Sequence, residues 1–546
     1  MPSFSRHQFL VGTACLLLAG CGADDVASPG AGNIDVIVNP TPTPSPSPSP
    51  TTPTPSPITA AEFALATTQS GVTITADEQF ALVNAGSNNN VSGAAGLNGI
   101  YPVSTTSLAT PTNASTLGSF FTATNFVGAV NGPNDTAFQG WTCNSSSANF
   151  GGSTAACTAV PSVGTPAAGV ACPTGTTDDG TVAGFRACRL PTVISASMTL
   201  PKIAGVFYRF RGQTEVGTDV GSQGADSGVT LTIEPGVVLA ADTSEASNDL
   251  LLVNRGSRIN AVGTAAAPII FTSQQNLTNN GVSDSTQGQW GGLILLGRAP
   301  TAVCAAGTGG NNQGGTTGND ANGTSTTCQA PIEGVPGRFY GGTSQADNSG
   351  TLQYVQIRYT GIAISEGNEL QGLTLGGTGS GTTIDHVQSH NSADDGVEIF
   401  GGTTNLKYFV VTGSDDDAFD VDNGWRGFMQ FIIAAQKAGG ATADSFATEI
   451  DSNGAEDLLP RTYGRYANFT FIQTAPSAPA AIRLRGGADF AFVNGVVKTG
   501  TGQACVNLIA GAGSGDTRTT IRPADAALQD VGPPTFNSVY FQCQGR

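Results

Sequence analysis

From residue 201 onward the chain repeats one short grammar. An apolar run with alternating polar positions meets a Gly, Asn, Asp or Pro turn, and another run follows. Leu231-Thr232-Ile233-Glu234-Pro235-Gly236-Val237-Val238-Leu239 reads as strand, turn, strand. Leu251-Leu252-Val253 with Gly256-Ser257-Arg258-Ile259 repeats it, and Pro268–Ser273 and Leu293–Gly297 continue it. Leu352–Ile357, Ile384–Ser389 and Leu406–Val411 follow, with no convincing amphipathic helix between them. The last two begin 22 residues apart. That offset recurs between Ala393-Asp394-Asp395-Gly396-Val397-Glu398-Ile399-Phe400 and Asp415-Asp416-Asp417-Ala418-Phe419-Asp420-Val421-Asp422. A period near 20 residues with strand-like alternation predicts a solenoid in which each repeat is one coil stacked on the last. The expected fold is all-β, a parallel β-helix over 201–546, with a disulfide-bearing cap over 59–200.

Stacking gives the alternation chemical meaning. Neighbours in a strand point to opposite faces. Val397, Ile399, Phe419 and Val421 are therefore expected inside the coil, and Glu398, Phe400, Asp420 and Asp422 outside. Placing Glu449-Ile450-Asp451 on the next coil requires an insertion over 435–448. Ile482-Arg483-Leu484-Arg485 then follows with the same alternation. Two outward columns result, Glu398–Asp420–Glu449–Arg483 and Phe400–Asp422–Asp451–Arg485. Carboxylates one strand spacing apart, about 4.8 Å, repel by about 3 kcal/mol per pair at an effective dielectric of 20. Like charges directly opposite destabilise a sheet. A bound cation, shared protons or full hydration would relieve them, and carboxylates with turn carbonyls are the oxygen ligands Ca²⁺ prefers. Glu398, Asp420, Asp422, Glu449 and Asp451 are thus the candidate metal ligands. Glu398, Asp420, Asp422, Trp425, Arg483 and Arg485 are the candidate ligand-binding set. The plainer alternative is a solvated acidic face with Arg483 and Arg485 as counter-charges. Asp394-Asp395 and Asp415-Asp416-Asp417 precede the strands, where Asp side chains cap turn backbone, and that structural role is the preferred one for them.

Composition narrows the partners. The chain has 546 residues, more than one simple globular core accommodates. Its formal net charge of −18 argues against nucleic acid. Trp290, Tyr340, Tyr359 and Trp425 offer rings that either stack on sugars or pack at turns. His386 and His390, about 13 Å apart along a strand, cannot chelate one ion. No GxSxG, HExxH, phosphate loop or dinucleotide fingerprint is present.

The first residues read as a targeting segment. Arg6 and His7 precede an apolar run to Leu18, too short to span a bilayer well. Leu18-Ala19-Gly20-Cys21 resembles the bacterial lipobox, which implies a signal over 1–20 and lipidation of Cys21. Gly22 in place of Asp implies passage to the outer membrane. Residues 21–58 form the lipidated start and a Pro/Thr/Ser-rich tether, extended at about 3.1 Å per residue. With no barrel-like segment after the solenoid, crossing the outer membrane is expected to need separate machinery. Eight further cysteines suit an oxidising compartment. Sequence neighbours suggest the pairs Cys143–Cys157, Cys172–Cys188, Cys304–Cys328 and Cys505–Cys543, among the 105 pairings eight cysteines allow.

Taken together, several motifs resemble a widespread, mostly uncharacterised family of right-handed parallel β-helix surface lipoproteins of Gram-negative bacteria. They are Leu231–Gly236, Trp290-Gly291-Gly292-Leu293-Ile294, Tyr340-Gly341-Gly342, Asn368-Glu369-Leu370, Asp394-Asp395-Gly396, Asp415-Asp416-Asp417 and Asn423–Gly427. Phe126–Val130 with Gly140-Trp141-Thr142 belongs with them. The resemblance covers most of 120–500 and implies fold and location rather than a reaction. The expected protein is anchored to the membrane through its lipid, facing the periplasm or the cell surface. It is expected to bind a polysaccharide or surface partner along the solenoid flank, with Ca²⁺ as the candidate ion. Polysaccharide lyases and pectin hydrolases share the fold, so catalysis through Asp420, Asp422, Arg483 and Arg485 is the rival. Their Gly-His-Gly and Arg-Ile-Lys motifs are absent here, and a passive scaffold is the third alternative.

Overall fold

The computed structural model describes residues 111–544, apart from 509–523 and short internal stretches. Among the described residues there is no α-helix, and none is long and apolar enough to cross a membrane. The strands stack in parallel into a β-helix whose coils share two long sheets, one of ten strands and one of sixteen. The ten-stranded sheet runs from Val193–Ile194 to Ala504–Leu508. Its central strands are Leu293–Leu296, Leu373–Gly376, Val397–Phe400, Phe419–Asp422, Thr448–Ile450 and Ala480–Leu484.

The larger sheet is bent along its length. Tyr354, His386, Tyr408, Phe431, Asn468 and Asn494 each adopt φ between 52° and 58°, and each is skipped in the register of its long strand. A single left-handed residue per coil thus turns the strand through a corner, giving the solenoid a third side. The rings of this column lie on one another, with centroids 4.3 Å apart for His386–Tyr408 and 4.6 Å for Tyr408–Phe431.

The alternation seen in the sequence is realised. Leu373, Leu375, Val397, Ile399, Phe419, Val421 and Ile450 are completely buried in one continuous core. Each such side chain contributes about 1.5–3 kcal/mol by leaving water. The core grows along the axis coil by coil rather than in all directions.

The N-terminal part differs from the expected cap boundary at 200. Strand pairing already begins at the hairpin Thr177–Val182/Phe185–Arg189, and Phe185–Arg189 pairs in parallel with Val206–Phe210. Residues 111–163 form a strap along the bent sheet. Its amide at Thr112 donates to Asn494 Oδ1 at 2.7 Å, Thr122 to Gln430 Oε1 at 2.8 Å and Cys143 to Gln388 Oε1 at 2.6 Å. The strap therefore runs from the late coils back toward the first. Phe126–Val130, read as a strand from sequence, forms no ladder. Its amides pair instead with Asn494 O and Thr470 Oγ1. The strand read at Gly71–Ile74, the signal and the tether lie outside the described residues.

Disulfides join Cys143–Cys157, Cys172–Cys188 and Cys304–Cys328, and Cys505 is also disulfide-bonded. The expected partner Cys543 has its side chain outside the described set. The Cys304–Cys328 bridge clips a long insertion between Leu293–Leu296 and Gly350–Arg358. Ile332, Val335 and Tyr340 of that insertion cover the apolar half of the ten-stranded sheet's outer face, over Leu252, Ile294 and Phe400.

Candidate functional site: an acidic cleft

Beyond the insertion, the outer face of the ten-stranded sheet turns acidic. The register places Glu398 beside Asp420, Asp420 beside Glu449 and Glu449 beside Arg483. Phe400 lies beside Asp422. The amides of Asp451 and Arg485 continue the second column by donating to Val421 O and Ile450 O. Both columns derived from the 22-residue offset are thus present.

Their lower ends are neutralised. Arg485 bridges Glu449 at 2.6 Å and Asp451 at 2.9 Å, and Arg483 reaches Glu449 at 3.2 Å. Burial disfavours the Arg485 cation, but Asp451 and Glu449 outweigh it and push its pKa above the ordinary range. Glu449 and Asp451 are therefore engaged by guanidiniums, whereas Glu398 and Asp420, higher in the column, make no ion pair with them. Asp422 Oδ1 accepts from the Asn423 amide.

The turn aspartates complete the upper part. Asp395 Oδ1 accepts from the Asp417 amide at 2.8 Å, and Asp417 Oδ1 from the Phe446 amide at 2.5 Å. Each thus caps the turn of the next coil, the role expected from sequence. Gly396 follows because no Cβ fits there: one would lie 2.2 Å from Val411 Cγ1. Capping does not exhaust these carboxylates. Ligand oxygens of Asp394, Asp395 and Asp416 all lie within 4.8 Å of one another, and so do those of Asp395, Glu398 and Asp420.

Burial of like charges raises the proton affinity of the group. Burial, with Asp416 and Glu369 nearby, moves Asp394 up to about 8. Burial and the neighbouring Asp451 move Asp422 to about 7. Asp395, Glu398, Asp417 and Asp420 are pushed well above the ordinary carboxylate range, by burial first and by neighbouring carboxylates second. The insertion adds Glu333, moved to about 7 by burial and Glu369.

Sequence reasoning missed Gln371, Glu333 and Glu369. Gln371 is 2% exposed, its Nε2 donates to Glu398 Oε2, and its Oε1 has no hydrogen-bond donor. Its signal was present: Gly372 donates to Asp395 O as Gly396 does to Asp417 O, so Gln371 occupies the turn position of Asp395 and Asp417 one coil earlier. Glu333 arrives on the insertion and carried no periodic signal.

The aromatic candidates need correction. Trp425 is completely buried, donates from Nε1 to Thr404 O at 3.0 Å and packs against Tyr466 and Phe490. Asn423 and Gly424, both left-handed at φ 56° and 85°, swing the chain so that Trp425 enters the core instead of meeting a ligand. Trp290, Tyr340 and Tyr359 are likewise buried, at 2% exposure or less. His390 is buried against Tyr359, while His386 sits in the corner column.

Fold and site together define a parallel β-helix protein with a largely buried carboxylate cluster on one sheet. The family model described as "Pectate-lyase like beta helix domain" matches residues 218–532, more than half of the chain, and the chain belongs to this family. No curated protein and no solved structure matches.

Proposed function

We propose that this chain is a lipid-anchored outer-membrane or cell-surface protein that binds a polysaccharide along the acidic cleft, with Ca²⁺ bridging carboxylates and sugar. The observation that carries the reading is the Glu398–Asp420 pair beneath Asp395. Its ligand oxygens gather within the span of a single cation's coordination shell, and the ion pairs of Arg483 and Arg485 go to Glu449 and Asp451 rather than to these three carboxylates. Oxygens held at about 2.3–2.6 Å from one Ca²⁺ lie at most about 5 Å apart. Membership of a pectate-lyase-like family supports a polysaccharide-related role. The lipobox-like Leu18-Ala19-Gly20-Cys21 supports the anchor. Glu398, Asp420, Asp422, Arg483 and Arg485 border the proposed path of the glycan.

A glycan array run with and without Ca²⁺ tests the reading. Cation-dependent retention of acidic glycans is expected, and loss of all retention in both conditions overturns it. Intact mass of the membrane fraction is expected to show an acylated Cys21, and an unmodified Cys21 there removes the anchor.

The enzymatic alternative has one observation in its favour: carboxyls that hold protons near neutral pH beside ionisable neighbours are the equipment of acid–base work on sugars. Against a lyase stands the state of Arg485, which its carboxylates keep charged and unable to take a proton. An assay for new reducing ends and unsaturated uronates separates the two. Turnover abolished by Asp420→Ala and Asp422→Ala would favour the enzyme.

A further inference from the structure

Asp415 opens an acidic run, but its carboxylate meets a lysine and an amide. Its Oδ1 lies 3.0 Å from Lys437 Nζ, and its Oδ2 accepts from Gln287 Nε2. Lys437 Nζ donates in turn to Gln287 Oε1. The three side chains close a ring, with the carbonyl of Gln287 held against the amine and its nitrogen against the carboxylate. Lys437 is 8% exposed. Backbone contacts fix each member. Gly288 N and Gln289 N donate to Thr360 O and Tyr359 O at 2.9 and 2.8 Å, and Asp415 N to Ser392 O at 2.9 Å. Lys437 N donates to Gln436 Oε1 at 2.8 Å. Gln287 lies 128 positions before Asp415 and 150 before Lys437, so the coil stack, not local chain geometry, brings it there. An ion pair needs only two partners. The third, an amide pinned at both polar atoms, stands where a substrate of the other two would stand.

We propose that Gln287 and Lys437 join in an intramolecular isopeptide bond, which the protein forms itself with Asp415 as the catalytic residue. Asp415 Oδ1 takes a proton from the Lys437 ammonium and leaves the neutral amine, a competent nucleophile. Nζ attacks Gln287 Cδ, one carbonyl bond of about 1.23 Å from the oxygen it already meets. Asp415 Oδ2 passes the proton to Nε2 as general acid. The Cδ–Nζ bond forms and the Cδ–Nε2 bond breaks. The amide nitrogen leaves as ammonium, carrying the two protons that Lys437 gives up. Asp415 ends ionised as it began, and nothing is oxidised or reduced. Holding amine and amide together replaces a bimolecular encounter, and well-oriented pairs reach effective molarities of about 10⁵–10⁸ M. The bond closes a covalent ring that contains the disulfide-clipped insertion and Asp394, Asp395 and Glu398. In the ten-stranded sheet it ties the loop ahead of Leu293–Leu296 to coils beyond Leu373–Gly376 and Val397–Phe400. It is a staple along the stack axis, and it stands whether or not the cleft binds a cation or a glycan.

The test is peptide mapping of the purified full chain after reduction. A branched peptide joining Gln287 to Lys437 is expected, one ammonia lighter than its two parts. Reduced, denatured wild type is expected to run ahead of Lys437→Arg on a gel, because a chain closed into a ring is more compact. Gln287→Leu and Lys437→Arg are expected to lack the branched peptide. Asp415→Asn is expected to lack it too, with near-UV circular dichroism unchanged. The wild-type map reads the bond without any variant, so a substitution that fails to fold does not decide it. Unbranched Gln287 and Lys437 peptides recovered from folded wild type overturn the proposal. Gln287 deamidated to the acid beside an unbranched Lys437 overturns it as well, since water and not the amine has then attacked. A branched peptide that persists in Asp415→Asn overturns Asp415 as the catalyst.

Discussion

At the scale of single residues, an aspartate in this protein does two jobs that substitution can separate. Asp417 caps the buried Phe446 amide through Oδ1 and also adds a carboxyl to a crowded cleft. Asn keeps the acceptor and drops the ionisable group, whereas Ala loses both. In metal-free protein at pH 8, Asp417→Asn is expected to raise the melting temperature. Asp417→Ala is expected to lower stability by about 1–3 kcal/mol, the cost of an orphaned buried amide. Thermal denaturation of the two variants decides; equal effects would show that the cap contributes nothing. Trp425 makes the contrasting case. Because its ring lies wholly in the core, Trp425→Ala is expected to cost about 3–5 kcal/mol. In the fraction that remains folded, glycan retention should be unchanged, and a selective loss of binding at full stability would place the ring in the site after all. These two residues also mark what was legible. Asp417 before a strand reads as a cap from local chemistry. Whether the ring two residues after Asn423 turns in or out depends on two consecutive left-handed residues, a backbone that Asn and Gly both favour but neither dictates.

At the scale of strands, the ladder Glu398–Asp420–Glu449–Arg483 was readable because period and alternation fix register: a slip by one residue would exchange core and solvent faces. Its electrostatic state was not readable, since burial depends on an insertion and on turns from other coils. That state predicts a pH dependence. Asp394, with an ordinary pKa of 3.8 and a folded value of about 8, retains a proton that the unfolded chain has already released in between. The same sign holds for Asp422 and Glu333 up to about 7. The folded state binds more protons than the unfolded one from about pH 4 to about pH 8, so stability falls as pH rises through that window. Metal-free protein is expected to melt at least about 3 °C lower at pH 8.5 than at pH 5.5, given about 2–4 °C per kcal/mol for domains of 150–250 residues. If the cluster binds Ca²⁺ as proposed, the ion at about 100 times its dissociation constant is expected to add about 2.7 kcal/mol, most strongly at high pH, where the carboxyls are ionised. It should flatten or reverse the slope. A metal-free melting temperature that rises with pH would contradict the raised carboxyls.

At the scale of the molecule, the coil stack supplies a rigid flank and inserted segments decide what the flank presents. The stack was legible because it repeats. The strap over 111–163 was not, because its contacts join residues more than 200 positions apart, such as Cys143 with Gln388 and Thr112 with Asn494. The insertion that carries Glu333 and Tyr340 is the part of this arrangement open to direct test. Its apolar side chains rest on the outer face of the ten-stranded sheet rather than in the main core. Its free loop is closed by Cys304–Cys328 across 24 residues, a clip that in the loop-entropy account stabilises by about 3 kcal/mol. The entropy released on cutting it belongs to the insertion, since neither cysteine lies in a coil strand. Cys304→Ser with Cys328→Ser is therefore expected to leave cooperative melting of the coils within about 2 °C of wild type. The same pair should weaken Ca²⁺ binding several-fold, as the wall carrying Glu333 loosens and water enters beside Glu398 and Asp422. Calorimetric melting with Ca²⁺ titration on one sample reads both quantities. A large drop in the coil transition would mean that the insertion supports the stack itself, and unchanged Ca²⁺ affinity would mean that the cleft is built by the coils alone.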